Sequence, residues 1–169
     1  MVHALYHALH ALNESKEHQD VRCLAIQREI KIGSVRFDIL VTTPTKRQPI
    51  GIEVQISPPT INRYEKISTL ISNGEIAGII LVCLTEEVKV EAERALQRAI
   101  KDPSKYKIVL VENEPEVCGQ LLSFATLSRE LGFPSEPAIK DEIKRNIKRD
   151  EMVSLLTQIG LVDAMRAIP

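Results

Sequence analysis

The sequence predicts an α/β sandwich: a mixed sheet built around an antiparallel three-strand meander, with helices on both faces. Three observations predict it. Residues 22–57 hold three stretches of strand-like alternation joined by short connections, the run AGIILVCL from Ala77 to Leu84 is unbroken apolar sequence, and segments of helical spacing stand before, between and after these. A continuous apolar run of that length suits a strand buried on both faces. The order along the chain reads αβββαβαβα, followed by further C-terminal helices.

Each element has a local cause. Leu5, Ala8, Leu9 and Leu12 make an apolar stripe at helical spacing within residues 2–17, and the polar run ESKEHQD ends it. Leu24, Ile26, Ile30 and Ile32 share one parity in the first strand, and Val35, Phe37, Ile39 and Val41 share one parity in the second; Gly33-Ser34 supplies the turn between them. The loop PTKRQP leads to IGIEVQIS, residues 50–57, in which Ile50, Ile52, Val54 and Ile56 alternate with Gly51, Glu53, Gln55 and Ser57. Past Pro58-Pro59, Ile61, Tyr64, Ile67 and Ile71 recur at helical spacing until Asn73-Gly74. Thr85 followed by Glu86-Glu87 is a helix start, a hydroxyl cap with acids at the positive end of the dipole. Val88, Ala92, Leu96 and Ala99 continue that helix; Tyr106 to Val111 reads as another buried strand and residues 115–131 as another helix.

The chain of 169 residues fits one domain with a small terminal addition. Residues 1–136 are read as the core and 137–169 as a helical appendage for docking or dimerisation, because KDEIKRNIKRDE carries only a thin apolar stripe among balanced charges and MVSLLTQIGLVDAMRAIP is broken at Gly160. No apolar run approaches the roughly 18–20 residues of a membrane span, and the first residues lack the pattern of a signal peptide. A cytoplasmic protein with no membrane partner is the expectation. Cys23, Cys83 and Cys118 are odd in number and form no C-x-x-C pair, so reduced structural thiols are expected rather than disulfides or a thiolate zinc site. His3, His7 and His10 fall on one helical face without a fourth ligand nearby. The net charge of -1 offers no global attraction to nucleic acid, yet residues 22–66 hold eight basic side chains against four acidic ones. That is a local excess.

Pairing the strands brings the acids together. With Gly33 and Ser34 as the loop of a tight hairpin, Ile32 faces Val35, Ile30 faces Phe37 and Glu29 faces Asp38. In the second hairpin the register that keeps apolar residues on one face sets Val41 against Ile50, Ile39 against Ile52 and Asp38 against Glu53. Three carboxylates then lie in a row, which repel one another unless a cation sits among them. Oxygen ligands of this type suit Mg²⁺ or Mn²⁺. The same pairing opposes Lys31 and Arg36, a like-charge contact that a phosphate would relieve.

Phe37-Asp38, then Glu53-Val54-Gln55 after fourteen residues, with Glu29 upstream, resembles the motif of the PD-(D/E)XK nuclease superfamily, the restriction-endonuclease-like fold. REIKIGSVRFDIL…IGIEVQIS is also similar to the RxD…IExQxS pattern of competence-type and related nucleases. The resemblance spans about residues 1–112. Phe37 stands where the motif has proline, and Gln55 where it has lysine. Glutamine can hydrogen-bond but carries no charge and is no base near neutral pH.

The resemblance implies a metal-dependent nuclease that hydrolyses phosphodiester bonds, an endodeoxyribonuclease using Mg²⁺ or Mn²⁺. By it Asp38 and Glu53 bind the metal with the carbonyl of Val54, Glu29 completes the site, and Gln55 positions the attacking water. Lys31, Arg36, Lys46, Arg47, Arg63 and Lys66 are the candidates for nucleic-acid contact, Arg63 or Lys66 replacing the missing positive charge. With no tryptophan, three tyrosines and three phenylalanines, a single-strand stacking platform is disfavoured and double-stranded DNA is the expected partner. Cleavage of both strands implies a homodimer. The alternatives are a catalytically silent nucleic-acid-binding or assembly module on the same fold, or a protein-interaction domain.

Overall fold

Alternation of apolar side chains turns residues 25–55 into three strands, and the computed structural model, which describes residues 1–13, 15, 17–58, 60–111 and 150–169, joins them to two more. Helix α1 (Val2–Leu12) precedes β1 (Ala25–Ile32), β2 (Val35–Thr42) and β3 (Ile50–Gln55). Then come α2 (Ile61–Ser72), β4 (Gly78–Cys83), α3 (Glu86–Ala99) and β5 (Tyr106–Leu110). Residues 150–158 form α4, and Leu161–Ala167 form α5. The α/β sandwich is as expected. The helix expected over 115–131 lies outside the described residues.

The five strands lie side by side in chain order, antiparallel from β1 to β3 and parallel from β3 to β5. Parallel neighbours require crossovers, and a right-handed crossover that always steps the same way along a sheet places its helix on the same face each time. Accordingly α2 and α3 cover one face, packing Tyr64, Ile67, Leu70, Val88, Ala92 and Leu96 on Ile79, Leu81 and Cys83. The opposite face can be covered only by other parts of the chain. Leu5, Leu9 and Leu12 of α1 and Leu155, Leu156, Leu161, Val162 and Met165 of α4 and α5 meet Ile39, Val41, Ile50, Ile52, Ile80 and Val82 there.

Residues 150–169 are therefore not an appendage, as the sequence led us to expect, but part of a layer of the sandwich. Its apolar side chains are spent on the sheet. Arg166 also reaches Asp20, Nε to Oδ2 at 2.7 Å, which pins α5 beside the approach to β1. The proposed boundary between residues 136 and 137 lies outside the described residues.

Local chemistry sets the ends of the elements. Helix α1 stops at Leu12, short of the expected residue 17, and Asn13 Oδ1 accepts the Cys23 N–H at 2.7 Å, tying the helix end to the run-in of β1. Thr85 caps α3 as anticipated, its Oγ1 accepting the Val88 N–H at 3.2 Å. Gly33 takes the left-handed conformation, φ 57°, that a two-residue hairpin turn asks for. Cys23 and Cys83 are buried free thiols.

The expected registers are present in both hairpins, except that the expected pairs Glu29 with Asp38 and Asp38 with Glu53 are not among the paired residues. In the β1–β2 hairpin Ile32 pairs with Val35, Ile30 with Phe37, Arg28 with Ile39 and Gln27 with Leu40; in β2–β3 Val41 pairs with Ile50 and Ile39 with Ile52. One expectation fails: Val35, Phe37, Ile39 and Val41 do not share a face. Val35 and Phe37 enter the core under α2 and α3, whereas Ile39 and Val41 enter the core under α1, α4 and α5. Strand β1 changes sides in step, Ile30 and Ile32 packing with the first group and Ile26 with the second. The reversal falls between the pairs Arg28–Ile39 and Ile30–Phe37, where the ladder is interrupted and Glu29 has φ 53°. A left-handed residue rotates the chain without adding to it, so the faces exchange while the register is kept.

Beyond that point the hairpin tip folds over β3 and α2. A Cβ on Gly51 would lie 2.7 Å from two carbons of the Phe37 ring, and one on Gly33 would lie 3.5 Å from Leu70. Gly78 is confined more severely, since a Cβ there would meet the Lys105 carbonyl oxygen and Ile168, the latter at 3.0 Å. Gly78→Ala is expected to destabilise the protein by ~1–3 kcal/mol, read as a lower urea midpoint at unchanged slope. Adding Ile168→Ala should not restore the midpoint, because the Lys105 main chain still blocks the methyl group.

Candidate functional site

Period two sends Gly51, Glu53 and Gln55 of β3 toward α2, while Ile50 and Ile52 enter the other core. Asp38 comes to the same side from β2. The regular ladder ends at Ile39 and Ile52, because β2 reverses its faces at the next residue. At that point Asp38 Oδ2 accepts the Val54 N–H at 2.8 Å. The carboxylate thus takes the place of a main-chain partner and lies beside Glu53.

Glu53 is 3% exposed, an extreme position for a carboxylate. Taking such an ion out of water costs several kcal/mol unless it is paired, and α2 supplies the pair. Arg63 Nε donates to Glu53 Oε2 at 3.0 Å, and Arg63 Nη2 donates to the same oxygen and also to the Arg36 carbonyl. Both guanidinium contacts converge on one carboxylate oxygen. Among the described residues the other, Oε1, is buried without a hydrogen-bond partner, as is the hydroxyl of Tyr64.

The electrostatics follow from burial. Desolvation pushes the Glu53 carboxyl up to about 7, Arg63 opposes that rise, and the charge of Asp38 adds to it. The Tyr64 hydroxyl is also held well above its ordinary range, first by burial and then by the neighbouring Cys83 and Glu53. Asp38, Glu53, Arg63 and Tyr64 form one coupled group under the N-terminal turn of α2.

The other sequence-predicted residues distribute unevenly. The row of three carboxylates is not formed: Glu29 Oε2 accepts from Arg36 Nη2 at 2.6 Å, in a pair whose side chains are 58% and 64% exposed. The left-handed backbone at Glu29 accompanies this departure. Lys31 does pair with Arg36 across the hairpin, and the diagonal bond from Arg36 to Glu29 relieves their repulsion. Among the described residues no group of three or more His, Cys, Asp or Glu could hold a metal ion. His10 lies edge-on to Tyr6, ring centroids 4.6 Å apart.

Gln55 is half-buried at the end of β3, its main-chain oxygen accepting the Leu84 N–H at 3.2 Å and its side chain making no hydrogen bond among the described residues. Lys66 is exposed on α2. Lys46 and Arg47 precede β3 and Gln55 ends it, so roughly 16 Å of strand separates them from the glutamine. The basic excess is split. Tyr64 escaped sequence reasoning because its spacing with Ile67 and Ile71 made it look like ordinary core. Its place directly after Arg63, on the helix following the Glu53 strand, was the available signal.

The donor set fits a hard divalent ion in kind and in part. Asp38 and Glu53 are adjacent carboxylates, and among the described residues the buried Oε1 of Glu53 is an acceptor without a donor. Mg²⁺ is commonly held by one or two carboxylates, with water and phosphate completing the shell. No protein-family model matches the chain, and no curated protein matches it. Among the described residues no helix is long and apolar enough to cross a membrane.

A carboxyl whose folded value lies above its unfolded one takes up a proton on folding between the two. Its stabilising contribution is complete below the ordinary value of 4.5 and is lost as pH rises through about 7. With chelator present, the thermal midpoint of the wild-type chain should fall across that interval relative to Glu53→Gln. A gap between the two proteins that stays constant with pH would show that Glu53 does not titrate there.

Proposed function

We propose that the chain is a metal-dependent phosphodiesterase acting on nucleic acid, an endodeoxyribonuclease on a PD-(D/E)XK-like core. The observation that carries this reading is the juxtaposition of Asp38 and Glu53 beside α2, with one buried Glu53 oxygen lacking a hydrogen-bond partner among the described residues. Asp38, Glu53 and the carbonyl of Val54 are the residues to hold Mg²⁺ or Mn²⁺. Such an ion, when bound, would acidify the attacking water and offset charge developing on the phosphate. Glu29, engaged by Arg36, would take part through water.

The chain's own residues divide the remaining work. Gln55, with a free amide at the end of β3, can orient the attacking water by hydrogen bonding but cannot take its proton. Arg63 is the cation nearest Glu53, and its planar fork suits a phosphate oxygen. Lys31, Arg36 and Lys66 would contact the phosphate backbone, and Lys46 and Arg47 would make a separate contact further along the duplex. Scarce aromatic residues favour double-stranded DNA, and cleavage of both strands favours a homodimer. The free, buried Cys23 and Cys83 suit a reducing, cytoplasmic setting.

A second reading has its own support. Glu53 is already neutralised by Arg63, and Gln55 stands in place of a lysine, which is what a binding or assembly module that has lost catalysis would retain. Incubation with plasmid, linear duplex and single-stranded substrates, with Mg²⁺, with Mn²⁺ and with chelator, separates the two. Metal-dependent cleavage of duplex is expected, falling ~10²–10³-fold in Asp38→Ala and in Glu53→Ala. Undiminished cleavage by either variant overturns the site. Retention of duplex in a mobility shift without any cleavage establishes the silent module.

A further inference from the structure

The proposed carboxylate site already has a positive charge in it. Arg63 Nε and Nη2 both spend their protons on Glu53 Oε2, leaving Oε1 enclosed, and Asp38 is the second acid of the group. A divalent ion held by Glu53 would bring its charge to the carboxylate that the guanidinium already occupies. Like charges that close repel, so the two cations do not share Glu53 without penalty.

The arginine has somewhere to go. Its side chain is 33% exposed against 3% for Glu53, so it can turn toward solvent while the carboxylate cannot. Nη2 already contacts the Arg36 carbonyl, so release of Glu53 leaves the guanidinium with an acceptor on the hairpin. We propose that Arg63 is the internal counter-ion of this site and that a divalent cation and the Arg63 guanidinium are alternative occupants of Glu53, the ion entering as the arginine withdraws. This rests on the reading of Asp38 and Glu53 as cation ligands. It makes Arg63 a positioning residue whose charge sets how tightly the ion is held.

The test is Mn²⁺ binding to the full chain without nucleic acid, followed by the electron paramagnetic resonance signal of the free ion. Arg63→Gln is expected to bind Mn²⁺ about tenfold more tightly than wild type or better, as removal of a neighbouring like charge requires. Arg63→Lys, which keeps the charge, should stay close to wild type. Equal or weaker binding by folded Arg63→Gln overturns the proposal while leaving the metal site intact. Binding by neither wild type nor Arg63→Gln at millimolar Mn²⁺ overturns the metal reading beneath it. An independent measurement on wild type covers a variant that fails to fold: the Arg63 Nε–H resonance, assigned by its loss in Arg63→Lys, should move on saturation with Mg²⁺. A resonance that binding leaves unmoved defeats the exchange.

Discussion

Strand β2 serves two hydrophobic cores at once, and the change of allegiance happens within a single residue. Phe37 and Ile39 have the same parity and lie in opposite layers, with Asp38 between them. A strand that kept its alternation would have delivered both to one side. The left-handed backbone of Glu29 on the partner strand lets the hairpin turn over without a slip in register. Because of that reversal the ladder to β3 ends, Val54 has an N–H to satisfy, and Asp38 satisfies it. The carboxylate is placed by a backbone requirement.

Burial of Glu53 is the counterpart on β3. A carboxylate under a helix needs a cation on that helix, and Arg63 at the start of α2 meets the need while also reaching the Arg36 carbonyl. One guanidinium thereby joins the carboxylate, the helix and the folded-over hairpin. Gly51 permits the arrangement, because Phe37 occupies the volume where a larger residue would place its side chain. Sheet, hairpin and helix meet at this group, so its electrostatics and the local fold are difficult to separate.

Much of the framework was legible in the residues themselves. Gly33-Ser34 and the alternating isoleucines specify both registers, the run from Ala77 to Leu84 marks a strand buried on both faces, and Thr85 marks a helix start that the hydrogen bond to Val88 bears out. The face reversal was not legible, since apolar and polar residues go on alternating through Asp38 and only the backbone angle at Glu29 reveals the turn. The resemblance put Arg63 or Lys66 in place of the missing positive charge, but that Arg63 is the one and that it pairs with an enclosed Glu53 was not legible. The C-terminal helices misled for a different reason. Their apolar stripe says that they dock on something, and only the placement of α2 and α3 on one face says that the something is the sheet.

That last feature bears on how the chain reaches its native state during synthesis. Among the described residues the layer over Ile39, Ile50, Ile52 and Ile80 draws on residues 2–12 and 150–168, and the ion pair from Asp20 to Arg166 closes a separation of 146 residues. When β5 has left the ribosome, its sheet still has one apolar face only partly covered. Contacts of such high sequence separation form late and slowly, and a nascent chain paused between β5 and α4 would present that face to chaperones or to other copies of itself.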